Sequence, residues 1–188
     1  MNETQSTDHV LEVARQGATA YLRVLGRATF KVGLALKQFG TAAIEEGCTR
    51  MVLDVSACEG MDSTFMGVLA GMATRLARQT GGKMLMLNVS DKLFEILSTL
   101  GLDQVMECRR LGAVPEPLVE PPLTARALSP IAAAAADLQT TRHVMLEAHT
   151  TLAAISAENQ LRFKDVLAYL REDGRRTADG RRQTTDNG

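Results

Sequence analysis

The chain has 188 residues, 45% hydrophobic and 4% aromatic, with a formal net charge of −1, which is enough for one good core and an appendage but short for two full domains. That balance offers no basic excess for nucleic acid, and the lack of tryptophan argues against a base-stacking or carbohydrate platform. No apolar run approaches the about 20 residues needed to cross a bilayer, and MNETQSTDH is too polar for a secretory signal, so a cytoplasmic protein away from membranes is expected.

His9 to Arg15 and Thr19 to Leu25 alternate as two strands around a Gln16-Gly17 turn, with Leu11, Val13, Ala20, Leu22 and Val24 toward the core. A loop Gly26-Arg27-Ala28-Thr29 follows, in which Thr29 can cap a helix carrying Val32, Leu36, Phe39 and Ala43 and ended by Gly47. Met51 to Val55 is a short apolar run suited to a strand buried on both faces. After a turn at Glu59-Gly60 the period changes to helical, with Phe65, Leu69, Met72 and Leu76 on one side and Asp62 as the natural N-cap. Ser63 and Thr64 then lie in the first turn, where helix amides and the positive end of the helix dipole favour negative charge. Gly81-Gly82 breaks the chain, Lys83 to Asn88 supplies another strand, and Ser90 caps a helix with Leu93, Ile96, Leu97 and Leu100 that ends at Gly101; Val105 to Cys108 is a short last strand.

All five prolines, Pro115, Pro117, Pro121, Pro122 and Pro130, lie between Leu111 and Ile131, which marks residues 112–130 as a semi-rigid linker and predicts that a chain ending near Val114 folds alone. From Ile131 to Asp173 the sequence reads as an amphipathic helical extension: Ile131, Leu138, Met145, Leu152, Asn159 and Val166 recur every seven residues, either in one rod or in two helices with a corner near Ser156. Its companion positions are small or polar, so packing within the chain or weak self-association is expected, with no obligate dimer. Residues 174–188 repeat Asp-Gly-Arg-Arg without apolar side chains and are expected to be a disordered basic tail.

Chemistry-bearing groups are sparse. Cys48, Cys58 and Cys108 form no CxxC pair and are expected to be reduced, and His143 and His149 stand six apart on one predicted helix, off the i, i+4 spacing of paired ligands, so neither a metal site nor a cofactor is expected. Asp54, Glu59 and Asp62 have no His or Lys base beside them, and Gly81-Gly82-Lys83 precedes a strand, which excludes a phosphate-binding loop and makes an enzyme an unfavoured reading.

Asp54-x-Ser56 followed by Met61-Asp62-Ser63-Thr64-x-x-Gly67-Val68-Leu69 resembles the phosphoacceptor segment of STAS domains, specifically the anti-sigma-factor antagonists of bacterial partner-switching systems. The resemblance covers about the first 110 residues and implies an α/β fold, a STAS-like mixed β-sheet with helices packed mainly on one face, over residues 1–111. It also implies that Ser63 is the phosphoacceptor, with Thr64 the alternative. Asp62, Thr64, Phe65, Met66 and the loop Gly26, Arg27, Ala28 and Thr29 would form the partner contact. The family usually has glycine two residues after the acceptor serine, where this chain has Phe65. The implied partners are an anti-sigma factor serine kinase and a serine phosphatase, in signalling that controls transcription. The alternative is a non-switching accessory subunit of a transport ATPase or a signalling scaffold.

Overall fold

A computed structural model describes residues 11–111, 128–132 and 135–185, the stretch from 175 on as backbone. Strands β1 (Leu11–Gln16) and β2 (Thr19–Ala28) form the expected antiparallel hairpin, with Gly17 at φ +57° in the turn where a side chain would strain the backbone. Helix α1 (Phe30–Glu45) leads to β3 (Arg50–Met61), then α2 (Ser63–Thr80), β4 (Lys83–Val89), α3 (Asp91–Thr99), a single 3-10 turn and β5 (Glu107–Arg110). The additions are β6 (Ser129–Ile131), α4 (Leu138–Ala153) and α5 (Ala157–Thr185). The sheet runs β5-β4-β3-β2-β1-β6; β2 to β5 are parallel neighbours, and β1 is antiparallel to both β2 and β6.

Period-two alternation divides the strands between two faces. Leu22 and Val24 of β2, Met51, Leu53 and Val55 of β3 and Met84 and Met86 of β4 join the helices in one core. Val52, Leu85 and Leu87, with Tyr21, form a smaller cluster on the reverse face.

Four expectations are corrected. Pro130 and Ile131 belong to a strand, and the helix begins at Leu138 because Asp137 caps it, its Oδ1 accepting the Thr140 amide at 2.6 Å. Few contacts were expected across the prolines, yet Val144, Ala148, Leu152, Phe163 and Leu167 are buried in the same core as the central strands. The heptad does not form one seam: Leu138 is 77% exposed, whereas the buried side of α4 follows Val144, Ala148 and Leu152 at helical spacing. Finally, residues 174–185 are helical where disorder was expected, since extending a helix already nucleated fixes one residue per added hydrogen bond. The stretch 112–127, Ala134, His9 and the last three residues lie outside the described residues.

The chain breaks between α4 and α5 at the expected corner, where Ser156 Oγ accepts the Asn159 amide at 3.1 Å. Asn159 is fully buried, and its side-chain amide donates to the carbonyls of Leu100 and Leu152, both at 2.9 Å. This side chain therefore fastens the helical pair to the end of α3.

On the reverse face Asp54, 5% exposed, accepts hydrogen bonds from the Ser56 amide at 3.0 Å, Asn88 Nδ2 at 2.9 Å and Arg23 Nε at 3.3 Å. Burial pushes its pKa up, but the bonds from Asn88 and Ser56, with the Arg23 charge, outweigh that push and hold it below the ordinary value. A carboxyl depressed in the folded state adds stability that is complete above its unfolded pKa of about 4 and is lost as pH falls through the folded value. Asp54→Asn should therefore flatten the acid limb of a urea-midpoint profile between about pH 2 and 6. An unchanged acid limb would show that other carboxylates govern it.

Candidate functional site

Strand β3 slips register against β2 between Arg23 and Leu25 and again between Gly26 and Arg27. Each slip places an extra residue on β3, so its end bends to deliver Asp62 between the N-termini of α1 and α2. Asp62 caps both: Oδ1 accepts the Phe65 amide at 2.8 Å and Oδ2 accepts the Phe30 amide at 2.7 Å. The Asp62 amide in turn donates to the Ala28 carbonyl at 2.9 Å. Thr29 was expected to cap α1 but makes no side-chain bond to the helix; a carboxylate 32 residues away does so instead.

Ser63 is the first residue of α2 and is partly exposed. Its Oγ lies 2.9 Å from Nε2 of His149, and the other ring nitrogen, Nδ1, is 2.7 Å from the Met145 carbonyl. A carbonyl can only accept, so Nδ1 carries a proton, and in the neutral ring Nε2 accepts a hydrogen bond donated by the Ser63 hydroxyl. His149 is 5% exposed and tilts against Phe163 of α5 at a centroid distance of 5.3 Å. Helix α4 reaches this position because Gly67 has no side chain: a Cβ there would stand 2.4 Å from the Ala148 carbonyl oxygen. Lys37 of α1 and Glu147 of α4 form an ion pair across the same junction.

The expected contact residues divide into two groups. Asp62, Arg27 and Thr29 lie at or near the surface and line a crevice of about 300 Å³ with Glu59, Ser90 and Lys92, while Gly26 is half-buried in β2 outside that lining. Phe65 is corrected: it is fully buried beneath α2 and is a core side chain. Ala28 is likewise buried against the core, while Thr64 and Met66, 3% and 4% exposed, present nothing to a partner in this arrangement. Thr64 lines a cleft with Phe30, Thr141 and Val144, so the alternative acceptor is covered from the side of α4.

Burial raises the pKa of Cys58, and burial with the nearby acidic Asp103 and Glu107 pushes Cys108 up to about 11; both stay protonated and unreactive at neutral pH. Sequence reasoning missed His149. Its spacing from His143 speaks only to metal ligation, and the sole hint of a helix seated here is the pair Gly67 and Gly71 inside a helical pattern.

The double cap predicts an order of stability. Asp62→Ala loses both acceptors and should cost about 1–3 kcal/mol, whereas Asp62→Asn keeps one oxygen and should fall between it and the parent in thermal melts. Equal melting of the Asn and Ala variants would show that only one of the two helix ends depends on this side chain.

The chain can now be set beside known proteins. No curated protein sequence matches it. Among solved structures it is similar to the protein TM1081 of Thermotoga maritima, at 16% identity over 59% of this chain and 89% of that one, with a TM-score of 0.49. An anti-sigma factor antagonist from Mycobacterium paratuberculosis aligns at 19% identity over 62% of this chain and 96% of its own, with a TM-score of 0.48. The Bacillus cell fate determinant SpoIIAA in its phosphorylated form aligns at 20% over 53% and 90%, with a TM-score of 0.45. Among the described residues no helix is long and apolar enough to cross a membrane. Residues 11–112 match the family model described as "Mlab, STAS domain", and because that match spans more than half of the 188 residues, the chain belongs to the STAS domain family.

Proposed function

We propose that this chain is a cytoplasmic protein-binding switch, an anti-sigma factor antagonist whose binding state is set by phosphate on Ser63. The observation that carries the reading is the placement of Ser63: first in α2 and directly after the doubly bonded Asp62, which itself lines the crevice with Arg27, Ala28 and Thr29. A serine kinase would move the γ-phosphoryl group of ATP to this oxygen. A new O–P bond forms, ADP leaves with the electrons of the broken bond, and the hydroxyl proton passes to a base on the kinase. A phosphoserine carries about −1.5 to −2 charges at pH 7, which a partner closing over this surface would have to desolvate, and this weakens the complex. A serine phosphatase would restore binding.

The carboxylates support binding over catalysis: Asp54 and Asp62 are both engaged by structural donors, so neither is free to move protons. One observation favours the second reading, a STAS accessory subunit or scaffold that binds without switching. Ser63 is already hydrogen-bonded to His149 of the chain's own α4.

Phosphopeptide mass spectrometry on protein from its native cell separates the two. Phosphate is expected on Ser63 and absent in Ser63→Ala, which keeps the sheet folded. The substitution is less neutral than its local sequence implies, because it leaves His149 Nε2 buried without a partner, a loss of about 1–3 kcal/mol from the seating of α4. Phosphate persisting at the parent level in Ser63→Ala would move the acceptor to Thr64, and none in either chain would favour the accessory-subunit reading.

A further inference from the structure

We propose that the α4–α5 pair is an internal occupant of the partner surface: it closes over Ser63 and the Gly67–Gly71 side of α2, and it must lift before Ser63 is phosphorylated or a partner's helix is seated there. This deepens the function proposed above and rests on Ser63 being the regulated residue.

The geometry has four parts. Ser63 Oγ and His149 Nε2 are 2.9 Å apart, which leaves no space for a phosphoryl group between them, and His149 is held in place by Met145 and Phe163. Backbone meets side-chain-free backbone at Gly67 and Ala148, while Gly71 faces Thr151 with a Cβ position 3.8 Å from its Oγ1. The seat on α2 is thus cut to the width of a helix with small residues, which is the partner chemistry it fits. The seat is also narrow. A groove of about 500 Å³ runs along one flank of α4, lined by Thr41, Met72, Arg75 and Thr151, and an apolar one of about 740 Å³ runs along the other, lined by Val105, Leu146 and Ile155. The ion pair that crosses from α1, Lys37 to Glu147, is partly exposed and therefore weak. A 16-residue helix released from such a seat is marginal in water, so the lifted state is read directly in its amides.

Gly67→Ala tests this without damage to α2. Alanine is the better helix former, so the substitution favours α2 while its Cβ overlaps the Ala148 backbone, which no side-chain rotation can relieve. Ala148→Glu makes the same test from α4 and leaves every residue of the sheet and of α1 to α3 unchanged. By hydrogen exchange with mass spectrometry, amides of 138–153 should exchange about tenfold or more faster in both variants while β2, β3 and β4 keep their protection. Loss of protection in the strands together with α4 would overturn the proposal, because the pair would then be core and not cover; so would unchanged exchange in α4. In native cells the fraction of Ser63 carrying phosphate should rise in Gly67→Ala, and a parent that is phosphorylated with no rise in the variant also overturns it. Absence of phosphate in both chains would instead remove the function proposed above, and the exchange result would decide the cover by itself.

Discussion

One carboxylate organises the working end of this molecule. Asp62 is the last residue before α2, and its two oxygens satisfy amides at the starts of two different helices. Helix starts carry unpaired N–H groups and partial positive charge, so a carboxylate shared between two such ends is held by both hydrogen bonding and the dipoles. The loop before α1 and the turn before α2 cannot move independently while it is in place. Ser63 inherits its position from that constraint, because it is fixed by the residue before it.

The second layer is polar satisfaction at a close helix crossing. Among the described residues no buried side-chain nitrogen or oxygen lacks a partner. The cost of burying His149 is met by Ser63 on one side and Met145 on the other, and that of burying Asn159 by two carbonyls. The C-terminal pair therefore does more than cover apolar surface. It is matched in hydrogen bonds at both ends, over Ser63 and over the end of α3, and a phosphate at the first of these would break one of the matches.

What the sequence disclosed follows the range of the interactions. The hairpin with its alternating strands, the apolar run of β3, the caps at Asp62 and Ser90 and the corner at Ser156 all rest on residues within a few positions of each other, and all were legible. The bond from Phe30 to Asp62 spans 32 residues and that from Ser63 to His149 spans 86, and no local pattern encodes either. The start of α4 was misplaced because the alanines before it are good helix formers, whereas the stop is written in Asp137, a cap read past in favour of a seven-residue period. Phe65 was assigned to the surface by likeness to a family motif, although its place in the 3.6-residue pattern with Leu69, Met72 and Leu76 puts it inside.

The short strand β6 has a consequence for how copies of the chain can meet. It covers β1, and it becomes the new border of the sheet with only three residues, one of them Pro130, which has no amide to offer. The opposite border, β5, is four residues long and carries Glu107, Arg109 and Arg110. Among the described residues neither border presents a long, uncharged row of free backbone groups, so joining of sheets from chain to chain, the common route to fibrils and swapped dimers, is discouraged at both of these strands.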